Sequence, residues 1–303
     1  MVKLSKELQA FITKSESFKF DYNLKKINWF QVGGKADLFF RPKTSQELQE
    51  FLQKKGDLKI FVMGVGSNII IRDGGFRGCV IRLGRGFTTL KQLPNQQLEV
   101  GAGNLDLNVA LFSQTAELSG FEFLSGIPGT IGGAIRMNAG AYGREISDIL
   151  VKACGYDLYG NYYEFNNEQM NYAYRKSAPP KELIYTHAIL QGKTGIKDNI
   201  IHKIQEIQAQ REATQPIRNR TGGSTFKNPI NNKAWQLIDQ AGCRGLTVGG
   251  AQMSEKHCNF MINVGNATAQ DLEDLGNLVI EKVKKSSGIE LTWEIKIIGD
   301  HYE

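Results

Sequence analysis

Apolar positions near the start of the chain recur at helical spacing. Leu4, Leu8, Phe11 and Ile12 share one face and predict a short amphipathic helix over 3–15. NLKKINWFQVGGKADLFFRP then reads as a loop followed by a strand, and a helix is predicted over Thr44–Lys55. Thr44 or Ser45 would cap that helix, with Glu47 close behind in a capping-box arrangement. Next come the apolar run KIFVMG, the loop GVGSN, the β-branched run IIIRDGG and the strand CVIRL, a strand-loop-strand order with no helix between.

A second helical period covers Asn104–Ser119, with Leu105, Val109, Phe112 and Ala116 on one face and Gly120 as the stop. VKACGYDLYGNYYEF predicts a hairpin turning at Tyr159-Gly160-Asn161, and LIYTHAILQG a further strand. Ile196–Gln210 is helical with Ile200, Ile204 and Ile207 in register, and Pro216 closes it, so a domain boundary falls near 195–215. Beyond it lie the loop GGSTFKNP, the helix KAWQLIDQAG and the strand HCNFMINV. A helix capped by Thr268 with Asp271 ends near Ser286, and LTWEIKII alternates as a final strand. The order of elements predicts an α+β protein.

The length of 303 residues suits two or three domains, and 41% hydrophobic with 22% charged residues is ordinary for a globular protein. The four cysteines, Cys79, Cys154, Cys243 and Cys258, include no CxxC and predict neither a disulfide framework nor a thiolate metal site. There is no signal-peptide pattern and no membrane-length apolar run, so the expectation is a cytoplasmic protein without membrane insertion. A net charge of +6 favours anionic partners in general. A nucleic-acid partner is not expected, because no basic patch carries interleaved aromatics. KVKK at 282–285 is read as the cationic last turn of a helix.

The 33 glycines against 7 prolines need a local explanation, and two clusters carry it. GVGSN follows a strand as phosphate loops do, yet it continues neither as GxGxxG nor into Gly-Lys-Ser/Thr, and a tight turn is the competing reading. The run GIPGTIGGAIRMNAGAYG at 126–143 reads as a long exposed backbone surface whose ordering a ligand would compensate, or as an irregular packed loop. GGSTFKNP presents hydroxyls, a lysine and an asparagine near the presumed boundary. Ser224 has no nucleophile elbow and no obvious base among His187, His202, His257 and His301. Taken singly, Ser224, Arg175 and Glu294 read as ordinary surface residues. His257 beside Cys258 lacks a third metal ligand, so no metal is expected.

Together, NWFQVGGKA, GVGSN, GIPGTIGGAIRMNAGAYG, YRKS, QREATQP, GGSTFKNP, GGAQMSEKHCNFMIN and ELTWEIKIIG resemble, in order and spacing, the UDP-N-acetylenolpyruvoylglucosamine reductases. The resemblance covers nearly the whole chain. It implies an N-terminal helix over 1–20 and an FAD-binding domain of the vanillyl-alcohol-oxidase type over 21–200, with subdomains about 21–83 and 84–200. A C-terminal α+β substrate-binding domain would occupy 201–303. It implies non-covalent FAD, NADPH as hydride donor and a UDP-sugar substrate, in a monomer or a weak dimer.

By the same resemblance, Gly64, Val65, Gly66, Ser67 and Asn68 would carry the FAD pyrophosphate. Pro128, Gly129, Thr130, Gly132, Gly133, Ala134, Asn138, Gly140 and Ala141 would wrap the cofactor further. Tyr142, Lys227, Asn228 and His257 would face the substrate. Reduced flavin would deliver hydride to C3 of the enolpyruvyl group, Ser224 would protonate C2, and Arg175 and Glu294 would stabilise the charge that develops. Two departures stand out. Thr214 occupies the place where some members carry a phosphate-contacting lysine, and the short stretch between Arg175 and Ser224 matches the class without an inserted tyrosine loop. The rivals are a flavin oxidase on the same kind of domain and a nucleotide-sensing module without catalysis.

Overall fold

A computed structural model of the chain describes residues 4–302, so the Lys3 end of the first predicted helix lies outside it. By contacts the chain forms two units. The first holds the residues up to Phe20 together with Leu38–Gly64 and Gly78–Gln210. The second holds Asp21–Asp37, Val65–Arg77 and the chain from Arg211 onward. These units are not linear segments divided at 200/201. Two early stretches join the C-terminal unit because Ile69–Ile71 pairs in parallel with Lys296–Ile298, and Phe30, Val32 and Ile70 are buried in that unit's core. A periodicity read along the chain does not register so distant a strand pair.

The first unit opens with α1 (Lys6–Thr13), whose N-cap Ser5 accepts a hydrogen bond from Leu8 N at 3.1 Å. In α2 (Ser45–Lys54) Thr44 caps by accepting from Glu47 N, while the Glu47 carboxylate reaches back one residue further than a capping box requires and accepts from Lys43 N at 2.6 Å. Leu48, Phe51 and Leu52 of α2 pack with Leu8, Ile12 and Phe40 in one core, where the Phe40 and Phe51 rings lie 4.6 Å apart. Strand Ile60–Val62 runs parallel to Phe76–Ile81 in this region.

The second core of this unit lies beneath a five-stranded antiparallel sheet. Its spatial order is Tyr162–Asn166, Leu150–Tyr156, Ile184–Gln191, Gln97–Gly101 and Leu90–Leu93. The hairpin turns where predicted, and Asp157 Oδ1 accepts from Tyr159 N and Asn161 N. Helix α3 (Asp106–Thr115) is shorter than its apolar pattern suggested; Val109 of the expected face is buried and Phe112 and Ala116 pack against the core, but Asp106, Ala110 and Ser113 are buried as well. Leu105 is exposed as the N-cap. Glu117 takes a left-handed φ of 53°, and Leu118–Ser119 pairs with Lys193–Thr194, so the chain turns before Gly120. Helices α4 (Ile131–Met137) and α5 (Lys197–Thr214) complete the set, with Ile131, Ile135, Ile200 and Ile204 in the core.

The second unit is built on a four-stranded antiparallel sheet in the order Arg220–Ser224, Phe260–Asn263, Ala251–Met253 and Thr247–Val248. Helices α6 (Ala234–Gln240) and α7 (Ala269–Ser287) supply Leu237, Ile238, Leu272, Leu275 and Val279 to its core. The predicted box at the start of α7 is complete. Thr268 Oγ1 accepts from Asp271 N at 3.0 Å, and the Asp271 carboxylate accepts from Thr268 N at 2.9 Å. Lys284 and Lys285 sit in its last turn.

Candidate active site

The glycine run belongs to the first unit and is more ordered than its composition suggested. Residues 131–137 are α4, so the run is neither wholly exposed backbone nor an irregular loop: Thr130, Ile131, Ala134, Ile135 and Asn138 are buried, and the other residues of the run are half-buried or exposed. The β-branched and apolar residues inside the run supply burial that a glycine count overlooks. Two amides of the first turn are consumed by the protein, Ile131 N donating to Asn104 O at 3.0 Å and Gly132 N to Ala102 O at 2.9 Å. Gly133 is exposed, with Thr130 Oγ1 the nearest atom to the place a side chain would take, at 3.7 Å. The Thr130 hydroxyl packs directly against Gly64, the first residue of GVGSN.

Asn138 closes α4 in the left-handed region, with φ 43°. Its Oδ1 accepts from Ser147 N at 3.0 Å and its Nδ2 donates to Ala173 O at 3.3 Å, so this amide holds the end of the run in place. Tyr142, at φ 54°, donates its hydroxyl hydrogen to Ile207 O at 3.2 Å and covers Gly126 with its ring. Arg175 also adopts a left-handed φ, 54°, and its Nη2 donates to Gly140 O at 3.2 Å, with the guanidinium 5.1 Å from the Tyr174 ring centre. The first unit therefore brings Arg175 to the same backbone that carries Gly140 and Ala141.

In the second unit GGSTFKNP is not simply a loop. Residues 220–224 are an edge strand in which Thr221 pairs with Ile262 and Ser224 with Phe260, leaving one extra residue between the two pairs. Gly223 absorbs this bulge at φ 78°, a conformation that a side chain would strain. The bulge re-aims the strand just before Ser224, a device that a reading of loop composition does not reveal. Thr225 N donates to Asn259 O at 2.7 Å, and Glu294 N donates to Thr225 O at 2.8 Å. Lys227 N donates to Thr292 O at 2.9 Å, and Phe226 bridges to Trp293. Ser224 ends its strand, whereas Glu294 lies just before strand Lys296–Ile298, which is shorter than the alternation of LTWEIKII suggested; Glu294 is hydrogen-bonded to Thr225, the neighbour of Ser224, and both residues are half-buried.

The end of GVGSN reaches the same Glu294 segment. Asn68 Nδ2 donates to Glu294 O at 3.2 Å, and Lys296 N donates to Asn68 O at 3.1 Å. Gly66 O accepts from Trp29 N at 3.0 Å. Buried Asn28 fixes that neighbourhood by donating from Nδ2 to Leu24 O and Val32 O. Asn28 and Trp29 are supporting residues that local motif reading passes over, although both stand in the NWFQVGGKA motif. Of the substrate-facing expectations, Lys227 is half-buried. Asn228 uses its Oδ1 to accept from Ala234 N at 3.0 Å, which ties it to the start of α6.

His257 lies near the Ser224 strand through Phe260, its ring meeting that of Phe260 edge-on at 4.8 Å. Burial pushes its pKa below the ordinary imidazole value, which favours the neutral ring, and Nδ1 accepts from Asn259 N at 3.3 Å, which favours the tautomer with the proton on Nε2. The neutral ring offers a hydrogen-bond donor at Nε2.

Two family models match the chain: the UDP-N-acetylenolpyruvoylglucosamine reductase C-terminal domain over residues 215–298 and an FAD binding domain over residues 36–155. A UDP-N-acetylenolpyruvoylglucosamine reductase of Rickettsia typhi is 54% identical over 96% of this chain and 98% of its own length. That of Rickettsia rickettsii, strain Sheila Smith, is 53% identical over the same shares. The chain belongs to the UDP-N-acetylenolpyruvoylglucosamine reductases. A crystal structure of the reductase from Thermus caldophilus matches with a TM-score of 0.79 and 33% identity, covering 91% of this chain and 97% of that one. The expected α+β fold, a vanillyl-alcohol-oxidase-type FAD-binding domain followed by a C-terminal domain, is borne out. So is the expectation of an FAD-dependent oxidoreductase of this reductase family.

Proposed function

We propose a division of labour among named residues for the reaction that membership in this family assigns to the chain. That reaction is the NADPH-driven reduction of the enolpyruvyl group of UDP-N-acetylglucosamine enolpyruvate to UDP-N-acetylmuramate, a step of peptidoglycan precursor synthesis. The observation that carries the proposal is the hydrogen bond from Glu294 N to Thr225 O, because it brings the Glu294 segment beside Ser224 at a bulge that fixes the serine.

The residues present fit FAD. Pro128, Gly129, Gly132 and Gly133 leave backbone without bulky side chains at a partly open surface, and the Thr130 hydroxyl stands between them and Gly64. In the proposed arrangement Gly64–Asn68 hold the pyrophosphate, while Pro128, Gly129, Thr130, Gly132, Gly133, Ala134, Gly140 and Ala141 hold the rest of the cofactor non-covalently. Asn138 contributes by setting the course of that backbone. Bound FAD supplies the two-electron store between NADPH and the enolpyruvyl group.

Protein side chains then do three things. Arg175 presents a guanidinium, anchored at Gly140 O, to the substrate carboxylate, where negative charge grows as C3 receives hydride. Ser224 gives a proton to C2. Glu294, whose backbone is pinned by Asn68 and Thr225, polarises the same enol group. Tyr142, Lys227, Asn228 and neutral His257 contact the UDP-sugar. Residues 21–200 serve the cofactor and also turn Tyr142 and Arg175 to the substrate, and 201–303 serve the substrate, in a cytoplasmic monomer or weak dimer.

The test is chemical. Purified protein with its flavin should consume NADPH only when the enolpyruvyl sugar nucleotide is added, and mass spectrometry should find the product two hydrogens heavier than the substrate. NADPH oxidation that proceeds equally without that substrate counts against the assignment and favours an oxidase.

A further inference from the structure

Asp106 has no place in the proposed chemistry, yet its carboxyl is fully buried in the first unit. It is the first residue of α3 and is 0% exposed. Both carboxyl oxygens are shut off from solvent and lack a hydrogen-bond partner among the described residues. A buried polar group without a partner is costly, and such a group calls for an explanation.

Its surroundings are the glycine run. Asp106 N donates to Gly129 O at 3.2 Å, and a Cβ placed on Gly129 would lie 2.7 Å from Asp106 Oδ2. Leu105 and Thr130 form a β-bridge, and Ile131 N and Gly132 N donate to Asn104 O and Ala102 O. Residues 102–106 therefore form the back wall of the Gly129–Gly132 segment, while Gly64 packs against the Thr130 hydroxyl. We propose that Asp106 is a positioning residue: its carboxyl, wedged behind Gly129, fixes the Pro128–Thr130 turn on which the flavin is held. The proposal rests on the assignment of that turn to FAD.

The wedge works as the neutral acid. Burial pushes the Asp106 carboxyl well above the ordinary carboxylate range, and the Gly129 amide, which faces it without completing a hydrogen bond, opposes this only in part. Helix α3 packs against residues 122–126 and Leu118–Ser119, and beside the 127–132 segment; neither Glu122 nor any other charged side chain of these elements acts on the Asp106 carboxyl. Ionisation would leave an uncompensated buried charge against Gly129 and drive the turn away from its position.

The test is the FAD dissociation constant of apoprotein across neutral and alkaline pH, for wild type, D106N, D106A and G133V, with far-ultraviolet circular dichroism as the check of folding. D106A should bind FAD roughly tenfold or more weakly, because a segment no longer held in place must be ordered by the ligand. D106N, a neutral isostere, should stay near the wild-type value at neutral pH. Wild-type affinity should fall as the pH rises while D106N stays flat. A folded D106A with wild-type affinity overturns the proposal, and so does a D106N that binds weakly while wild type shows no pH dependence. If D106A does not fold, the D106N profile decides alone. G133V places a side chain on the open face of the run. Undiminished FAD binding there overturns the assignment of the run itself, whereas weakened binding in G133V beside an intact D106A overturns only the role of Asp106.

Discussion

The side chain of Asn68 donates a hydrogen bond to the backbone carbonyl of Glu294 at 3.2 Å, and Lys296 N returns one to the carbonyl of Asn68 at 3.1 Å. The last residue of a loop assigned to cofactor phosphate is thereby fastened to the segment that carries a proposed catalytic carboxyl, just before strand Lys296–Ile298. The parallel pairing of Ile69–Ile71 with Lys296–Ile298 continues the connection. The end of the loop and the Glu294 segment are held together by these hydrogen bonds.

Replacing Asn68 with alanine should consequently act on both. Loss of one hydrogen bond should lower stability by about 1 kcal/mol. Stopped-flow traces should show reoxidation of the flavin by substrate slowed more than would follow from weaker FAD binding alone. A variant that loses FAD yet reoxidises normally once saturated with it would confine Asn68 to the cofactor.

S224A separates the two half-reactions. Reduction of the flavin by NADPH should remain near wild type, and reoxidation by the enolpyruvyl substrate should slow by about 100-fold or more, the usual scale for a lost general acid. G223A should reproduce part of that defect and cost about 1–3 kcal/mol in stability, because Gly223 sits at φ 78° in the bulge that aims Ser224.

R175K tests the shape of the cation against its charge. Arg175 holds Gly140 O from a left-handed backbone, and a lysine keeps the charge without the planar fork. The expected outcome is intact flavin reduction with kcat for the second half-reaction lowered about tenfold or more. Unchanged kcat would remove the guanidinium from the reaction.

Histidine titration gives a prediction about stability. Burial lowers the pKa of His257 and of His187 in the folded chain. The unfolded chain therefore takes up protons first as the pH falls below about 6.5, and stability that is full above that value declines toward the lower folded pKa. Denaturant midpoints should drop over this acid range. H257Q and H187Q should each flatten part of the slope, and a slope identical in both variants would place its source elsewhere.

The motifs showed a good deal of this in advance. The box of Thr268 and Asp271, the hairpin at Gly160 and the helix carrying Ile200, Ile204 and Ile207 depend on neighbours in sequence, and each formed as its local pattern required. What the pattern missed depends on distant partners. Ile69–Ile71 reads as a strand, but nothing near it announces pairing with Lys296–Ile298. The inward face of α3 includes Asp106 and Ser113, polar residues that an apolar stripe leaves out, and the bulge at Gly223 is visible only once Phe260 is its neighbour. At the site, Ser224, Arg175 and Glu294 had no signal of their own in composition or spacing. Family resemblance singled them out, and the hydrogen bonds around them now give each a physical setting.

The most direct measurement of the central claim is an anaerobic sequence of two mixings followed by the visible absorption of the bound flavin. NADPH should bleach the yellow protein, and UDP-N-acetylglucosamine enolpyruvate, added next without oxygen, should restore the colour as UDP-N-acetylmuramate forms. A flavin that NADPH fails to bleach, or a bleached flavin that recovers with oxygen but not with the enolpyruvyl sugar nucleotide, would contradict the account.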